Sequence, residues 1–187
     1  MAGEDGRDTT VSRWFGPAFG HLHPLLQALH RSGGRLQGPV AIRFGRGVAG
    51  MLGRRLAHRL GIPRTGRKHA LEVIIAHGEG ALHWTRRFDD GQVFASVFRP
   101  YGHWPQGGWI EDTSAVALTL QVDVIDGGWY WRCVGARRGS RRVPRWLLPR
   151  SQAHKRIEDG RYRFEVSFAL PLVGEVLRYG GLLEAVT

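Results

Sequence analysis

From about residue 70 to the C-terminus, apolar side chains recur at every second position, and this rhythm restricts the fold more than any other feature of the chain. A period of two is the pleat of a strand that buries one face. Leu71, Val73 and Ile75 flank Glu72, while Leu82, Trp84 and Phe88 share one parity. Val116, Leu118, Leu120, Val122 and Val124 are set against Thr119, Gln121 and Asp123. Tyr162, Phe164, Val166, Phe168 and Leu170 face away from Arg161, Arg163, Glu165 and Ser167. Asp90-Gly91, Asp126-Gly127 and Asp159-Gly160 fall between such runs, and an Asp-Gly pair accepts the positive φ of a tight hairpin. The pattern predicts an α+β, mostly antiparallel fold: a meander of about eight strands, curled into a half-barrel or barrel because one-sided apolar strands cannot stay flat in water.

Upstream the period differs. Residues 1–12 are polar and aperiodic and read as a flexible tail, leaving 13–187 as a single β-rich domain. Pro24 opens a run that places Leu25, Leu26 and Leu29 on one helical face, stopped by Gly33-Gly34. After an extended piece from Val40 to Phe44, Val48, Leu52, Leu56 and Leu60 recur at four-residue spacing until Gly61 and Pro63. Two short N-terminal helices are therefore expected against the mouth or concave face of the sheet.

The sequence also argues against several functions. No apolar run approaches the roughly 18 residues of a membrane-spanning helix, and the first residues lack a basic-then-apolar leader, so a cytoplasmic protein is expected. The single Cys133 suits a reducing compartment. Gly45-Arg46-Gly47-Val48-Ala49-Gly50 has dinucleotide-binding spacing, with Glu72 downstream. The hairpins that follow cannot build a parallel sheet, so it reads as a strand-to-helix turn and no cofactor is expected. His21 and His23 have no third ligand at metal spacing, and no nucleophile or carboxylate pair stands out, so neither a metal nor a catalytic residue is assigned.

The formal net charge of +11 attracts polyanions, and nearly all of it is Arg, with Lys only at Lys68 and Lys155. Arg137, Arg138, Arg141, Arg142 and Arg145 form a basic loop behind Trp129 and Trp131. Those tryptophans share the parity of Cys133 and read as core or cavity wall, so a nucleic-acid partner is not expected. Arg54, Arg55, His58 and Arg59 adjoin the leucine stripe of the second helix, a composition compatible with peripheral contact with an anionic membrane.

The most informative residues are charges on faces that should be buried. Arg86 shares parity with Leu82, Trp84 and Phe88, and Arg178 with Val176. Such a charge must be paired, sit at a rim, or meet an anionic ligand group. With Trp84, Trp131, Arg145 and Tyr179 they form the candidate ligand-binding set. His103, Trp104 and Trp109, in the Gly/Pro-rich connection YGHWPQGGW, are candidate lid residues. The expectation is a non-enzymatic domain that takes an amphipathic or anionic lipid-like small molecule into a pocket of a curved sheet.

Trp84-Thr85-Arg86-Arg87-Phe88, the stretch from Pro144 to Pro149, Asp159-Gly160-Arg161-Tyr162-Arg163-Phe164-Glu165-Val166, and Pro171-Leu172 with Arg178-Tyr179-Gly180-Gly181-Leu182 resemble the bacterial domain-of-unknown-function family 4166. The similarity runs from about Phe15 to Leu183 and departs from the pattern at Arg141-Arg142 and from His103 to Trp109. The resemblance implies no particular reaction. It does imply an association with an NAD(P)-binding reductase-like protein, so the alternative reading is an accessory domain for such a partner.

Overall fold

A computed structural model describes residues 8–113, 116–144 and 150–186. Helix α1 (Thr10–Phe15), a 3-10 turn (Gly16–His21) and α2 (Pro24–Ser32) precede β1 (Gly34–Phe44), and α3 (Gly47–Leu60) follows it. The remaining strands run in chain order: β2 (Lys68–Gly78), β3 (Ala81–Phe88), β4 (Val93–Tyr101), β5 (Gly108–Asp112) and β6 (Ala117–Ile125), then β7 (Gly128–Arg138), β8 (Arg141–Arg142), β9 (Arg150–Glu158), β10 (Arg161–Leu170) and β11 (Gly174–Val186). Every pairing is antiparallel.

The sheet closes on itself. β1 pairs with β2 on one side and with β11 on the other, from Arg35 opposite Val186 to Phe44 opposite Leu177. β6 pairs with β7, and β7 with β9, which completes a ring of ten strands; the two-residue β8 extends the end of β7 outside it. The expected half-barrel of about eight strands is thus a closed barrel of ten plus one. Two of the additional strands lie in segments without a clean period-two signal: β5, GWIED, which starts at the end of YGHWPQGGW, and β9, RSQAHKRIE, where apolar side chains are scarce.

Asp126 and Asp159 take φ of 48° and 49°, followed by Gly127 and Gly160 at 74° and 73°, the geometry expected of those turns. Glu79-Gly80 makes an equivalent turn between β2 and β3, with φ of 50° and 70°. Between β10 and β11 the register shifts: Phe168 faces Leu177 but Ala169 faces Glu175, so Val176 is an extra residue. A bulge of this kind reverses which parity points inward. Val176 and Leu177 are consequently both buried.

Because all strands are antiparallel, the barrel has two distinct ends. The N-terminal segment plugs one. α1 begins within the stretch expected to be a tail: Thr9 and Ser12 form a capping box, and Val11, Trp14 and Phe15 are buried. Trp14 meets Trp109 at 5.4 Å between ring centroids and Phe15 meets Trp129 at 4.8 Å, while Leu26, Leu29 and His30 of α2 complete the plug. There are thus three helices rather than two.

The other end is crossed by α3, and its seating differs from the leucine-stripe expectation. Its buried face is Ala49, Gly50, Gly53, Ala57 and Leu60, laid against β11. A Cβ on Gly53 would come 1.9 Å from the Val176 carbonyl oxygen, and one on Gly50 would come 2.3 Å from that of Gly45. Of the G-x-G-x-x-G glycines, Gly45 and Gly50 therefore serve close approach, whereas Gly47 meets nothing within 4 Å and takes φ of 54°. Leu52 and Leu56 are left half-buried, facing the barrel interior.

Gly53→Ala is expected to force α3 away from β11 and to lower stability in urea by about 2 kcal/mol, the scale of overpacking. Gly20→Ala, where an added Cβ meets nothing within 4 Å, should leave the midpoint unchanged.

Candidate functional site

Between the N-terminal plug and α3 the side chains leave a cavity of about 400 Å³. Its walls are the inward positions of most strands: Leu82 and Trp84 on β3, Phe94 and Phe98 on β4, Leu118 and Leu120 on β6, Trp131 on β7, Phe164 and Phe168 on β10, and Tyr179 on β11. Leu52 and Leu56 of α3 roof it. Arg55 and Arg59 also line it and are themselves exposed, so the cavity reaches solvent beside α3.

One polar chain interrupts these walls. Arg86, buried, donates from Nη1 to Ser96 Oγ at 3.1 Å, and Ser96 donates to Glu111 Oε1 at 2.8 Å. Alternation on β3 and β4 places Arg86 and Ser96 inward, and Glu111 enters from β5. The guanidinium lies over Phe94 and Trp84, 4.6 and 5.2 Å from the ring centroids. It has no ion pair among the described residues, although a buried guanidinium is costly without one. Burial pushes the Glu111 carboxyl above its ordinary value, against the pull of Arg86 and the Ser96 hydrogen bond. Tyr179 is pushed up to about 12, chiefly by burial, and Tyr162 is raised for the same reason. The Tyr162 hydroxyl and Trp84 Nε1 are buried without a hydrogen-bond partner among the described residues.

Deeper, toward the plug, lies Lys155, only 2% exposed. Its Nζ is 2.8 Å from His30 Nε2 and sits 3.6 Å from the Trp129 ring centroid and 4.7 Å from that of Trp84. Burial, then the nearby Arg86 charge, holds the ammonium well below its usual range. Burial, Lys155 and His77 do the same to His30. The tryptophan faces favour the cation by about 2 kcal/mol, less than the several kcal/mol that desolvating it costs without a carboxylate partner. The neutral amine is the form that fits.

Four of the six residues assigned from the sequence, Trp84, Arg86, Trp131 and Tyr179, line this one cavity. Arg178 does not. The bulge at Val176 turns it to the outer surface, where it pairs with Glu165 and Glu175. Arg145 lies outside the described residues. The lid candidates are at the wrong end of the barrel: Trp109 is fully buried on β5 in the plug, the Trp104 amide donates to the Trp14 carbonyl, and His103 is exposed beside α1. None of the three lines the cavity, which α3 roofs instead. Sequence reasoning missed Lys155, Ser96, Glu111 and His30. The rarity of lysine, present only at Lys68 and Lys155, was a signal for the first; Glu111 sits on a strand of five residues, too short to show a period.

A family model matches residues 22–183 of the 187-residue chain. The protein belongs to the family described as a domain of unknown function (DUF4166). The match takes in α2, α3, β1 through β10 and most of β11, and leaves α1 outside. A comparison with curated protein sequences returned no match. The cavity walls of this DUF4166 domain thus fall within the matched region, as does Arg86. Among the described residues, no helix is long and apolar enough to cross a membrane, and no three His, Cys, Asp or Glu side chains are grouped to hold a metal ion.

The lowered pKa of Lys155 has a defined sign in solution. Below the ordinary value of 10.5 the unfolded chain binds a proton that the folded chain does not, so stability falls as pH drops through that value toward the folded pKa. Lys155→Met should therefore be at least as stable as the parent near pH 7. The parent should regain ground against it as pH rises toward 10.5, read from urea midpoints. A buried ammonium held by the tryptophans would give no such gain.

Proposed function

We propose that this domain is a binding protein for a single-chain amphipathic anion, an alkyl or isoprenoid carboxylate in chemical terms, held with its chain against the aromatic and aliphatic walls and its carboxylate on Arg86. The observation that carries the reading is an apolar cavity of about 400 Å³ containing one buried guanidinium that has no ion pair among the described residues. That volume is within the ordinary range of small-molecule sites.

Energetics support an occupant. Apolar void costs on the order of 24 cal/mol per Å³, so a cavity of this volume left unfilled would cost about 10 kcal/mol, comparable with the whole stability of a domain. Chain methylenes filling it would each return about 0.8 kcal/mol. Water is a poor substitute along walls of Leu, Phe and Trp, and it finds partners only at the polar side chains set among them, such as Arg86, Glu111 and Tyr162.

The polar chain supports a carboxylate in particular. Arg86 spends one hydrogen bond on Ser96, and a guanidinium carries five donors in a fork that matches a carboxylate. Tyr162 and Trp84 offer further donors without partners in the same wall. Glu111, with its raised pKa, is suited to protonation when a second carboxylate arrives, which removes the like-charge penalty. No reaction is assigned.

Hexadecanoate is expected to bind with one-to-one stoichiometry by titration calorimetry and to quench the tryptophan fluorescence of Trp84 and Trp131. Arg86→Leu should weaken hexadecanoate by about ten- to a hundredfold, as expected for loss of charged hydrogen bonds, while leaving hexadecanol binding within about threefold. Equal losses for acid and alcohol, or no binding of either, would overturn the assignment.

A further inference from the structure

The mouth of the cavity has a property that ligand binding does not require. The three most exposed large apolar side chains among the described residues, Leu172 at 108%, Met51 at 64% and Val48 at 62%, all lie at the end of the barrel where the cavity opens. Single exposed hydrophobes are ordinary on protein surfaces, but these are grouped. Val48 and Met51 occupy the outer face of α3, and Leu172 is in the β10–β11 turn. That turn is held next to the first turn of α3, because Gly45 approaches the Glu175 carbonyl so closely that a Cβ would sit 2.4 Å from it, and the Gly45 amide donates to Val176 at 3.1 Å. Leu172 adopts φ of 65°, a left-handed conformation uncommon for a branched side chain, so the backbone displays this leucine at the expense of local strain.

Most of the arginines without an ion pair among the described residues lie at the same end. The arginines that form ion pairs, such as Arg35, Arg132 and Arg163, are matched to carboxylates. Arg54, Arg55 and Arg59 on α3 have no ion pair among the described residues, and neither do Arg137, Arg138 and Arg141 on the β7–β8 ribbon. α3 and that ribbon belong to the same end of the barrel, since β1 ends where β7 ends. Three of the acidic groups there are engaged, Glu175 with Arg178, Asp89 with His69, and Asp112 with Arg99, while Asp90 accepts from the Gln92 amide.

We propose that this end of the barrel docks on an anionic lipid bilayer, with Leu172, Met51 and Val48 entering the headgroup–acyl boundary and the surrounding arginines on the lipid phosphates, so that the cavity opens onto the membrane. Apolar side chains ringed by arginine are the signature of an interfacial surface, and each half of the pattern strengthens the other. A nucleic-acid surface would use basic charge with exposed aromatic platforms, whereas Trp129 and Trp131, at the other end of the strand that carries Arg137 and Arg138, are buried. The docking surface rests on exposure and charge placement, independently of the nature of the cavity's occupant.

The test is co-sedimentation of the full chain with phosphatidylcholine vesicles, with and without phosphatidylglycerol, at physiological ionic strength. Binding to the mixed vesicles and not to pure phosphatidylcholine is expected. Leu172→Asp combined with Met51→Asp should reduce the bound fraction at least about tenfold, the scale of losing one or two inserted side chains. Arg137→Glu with Arg138→Glu should also weaken it. Circular dichroism verifies folding, and hexadecanoate affinity of the same variants should be unchanged, since none of the four residues lines the cavity. Two results would overturn the proposal: no binding to the mixed vesicles, or binding indifferent to Leu172 and Met51 and abolished by duplex DNA, which would mark plain attraction to polyanions. Either outcome leaves the hexadecanoate result standing as the separate test of the cavity.

Discussion

The pairing of the first strand with the last is the constraint on which the rest of this structure depends. Every other junction in the ring joins strands that follow one another closely in the chain, but β1 and β11 are brought together from opposite ends of it. Without that seam the sheet would keep two long edges, each a row of unmet backbone donors and acceptors. With it, ten strands form a ring wider than the eight-strand barrels whose interiors side chains just fill. The N-terminal plug occupies one end. α3, fixed to the same seam by its close approach to Val176, crosses the other without filling the middle. The cavity follows from closure of the sheet and from the size of the ring.

Within that cavity, electrostatics divides the interior into three zones. At the plug, Lys155 and His30 are pressed toward neutrality by burial and form a hydrogen-bonded pair surrounded by tryptophan. In the middle, the Arg86 guanidinium relies on Ser96, Glu111 and aromatic faces. At the mouth, exposed arginines remain in water. Among the described residues Arg86 is the only guanidinium deprived of solvent, and so it is the group that most favours an anionic partner.

The parts of this arrangement legible in the sequence are those where period two runs undisturbed. On β3, Leu82, Trp84, Arg86 and Phe88 alternate without a break, so Arg86 could be placed inside and is inside. Trp131 followed from the same rule on β7. Arg178 did not, because one inserted residue at Val176 reverses the parity of everything after it, and a bulge leaves no mark in hydrophobicity alone. Tyr179 is inward through that same reversal. β9 was unreadable because its inward residues, Ser151, Ala153 and Lys155, carry little apolar signal. The glycine-rich segment before α3 imitated a nucleotide-binding motif because tight helix–strand packing and phosphate approach require the same residue. Ring closure itself is a long-range pairing that local pattern does not encode.

The central claim is that the ring encloses a space shaped for an amphipathic anion centred on Arg86. The most direct measurement is a high-resolution crystal structure of the protein isolated from its own host without added lipid. The account predicts elongated density between the Leu52–Leu56 roof and the Trp131 wall, with its polar end in hydrogen-bond contact with the Arg86 guanidinium. An interior collapsed into solid side-chain packing, or Arg86 turned out of the cavity into an ion pair with the protein's own carboxylates, would contradict it.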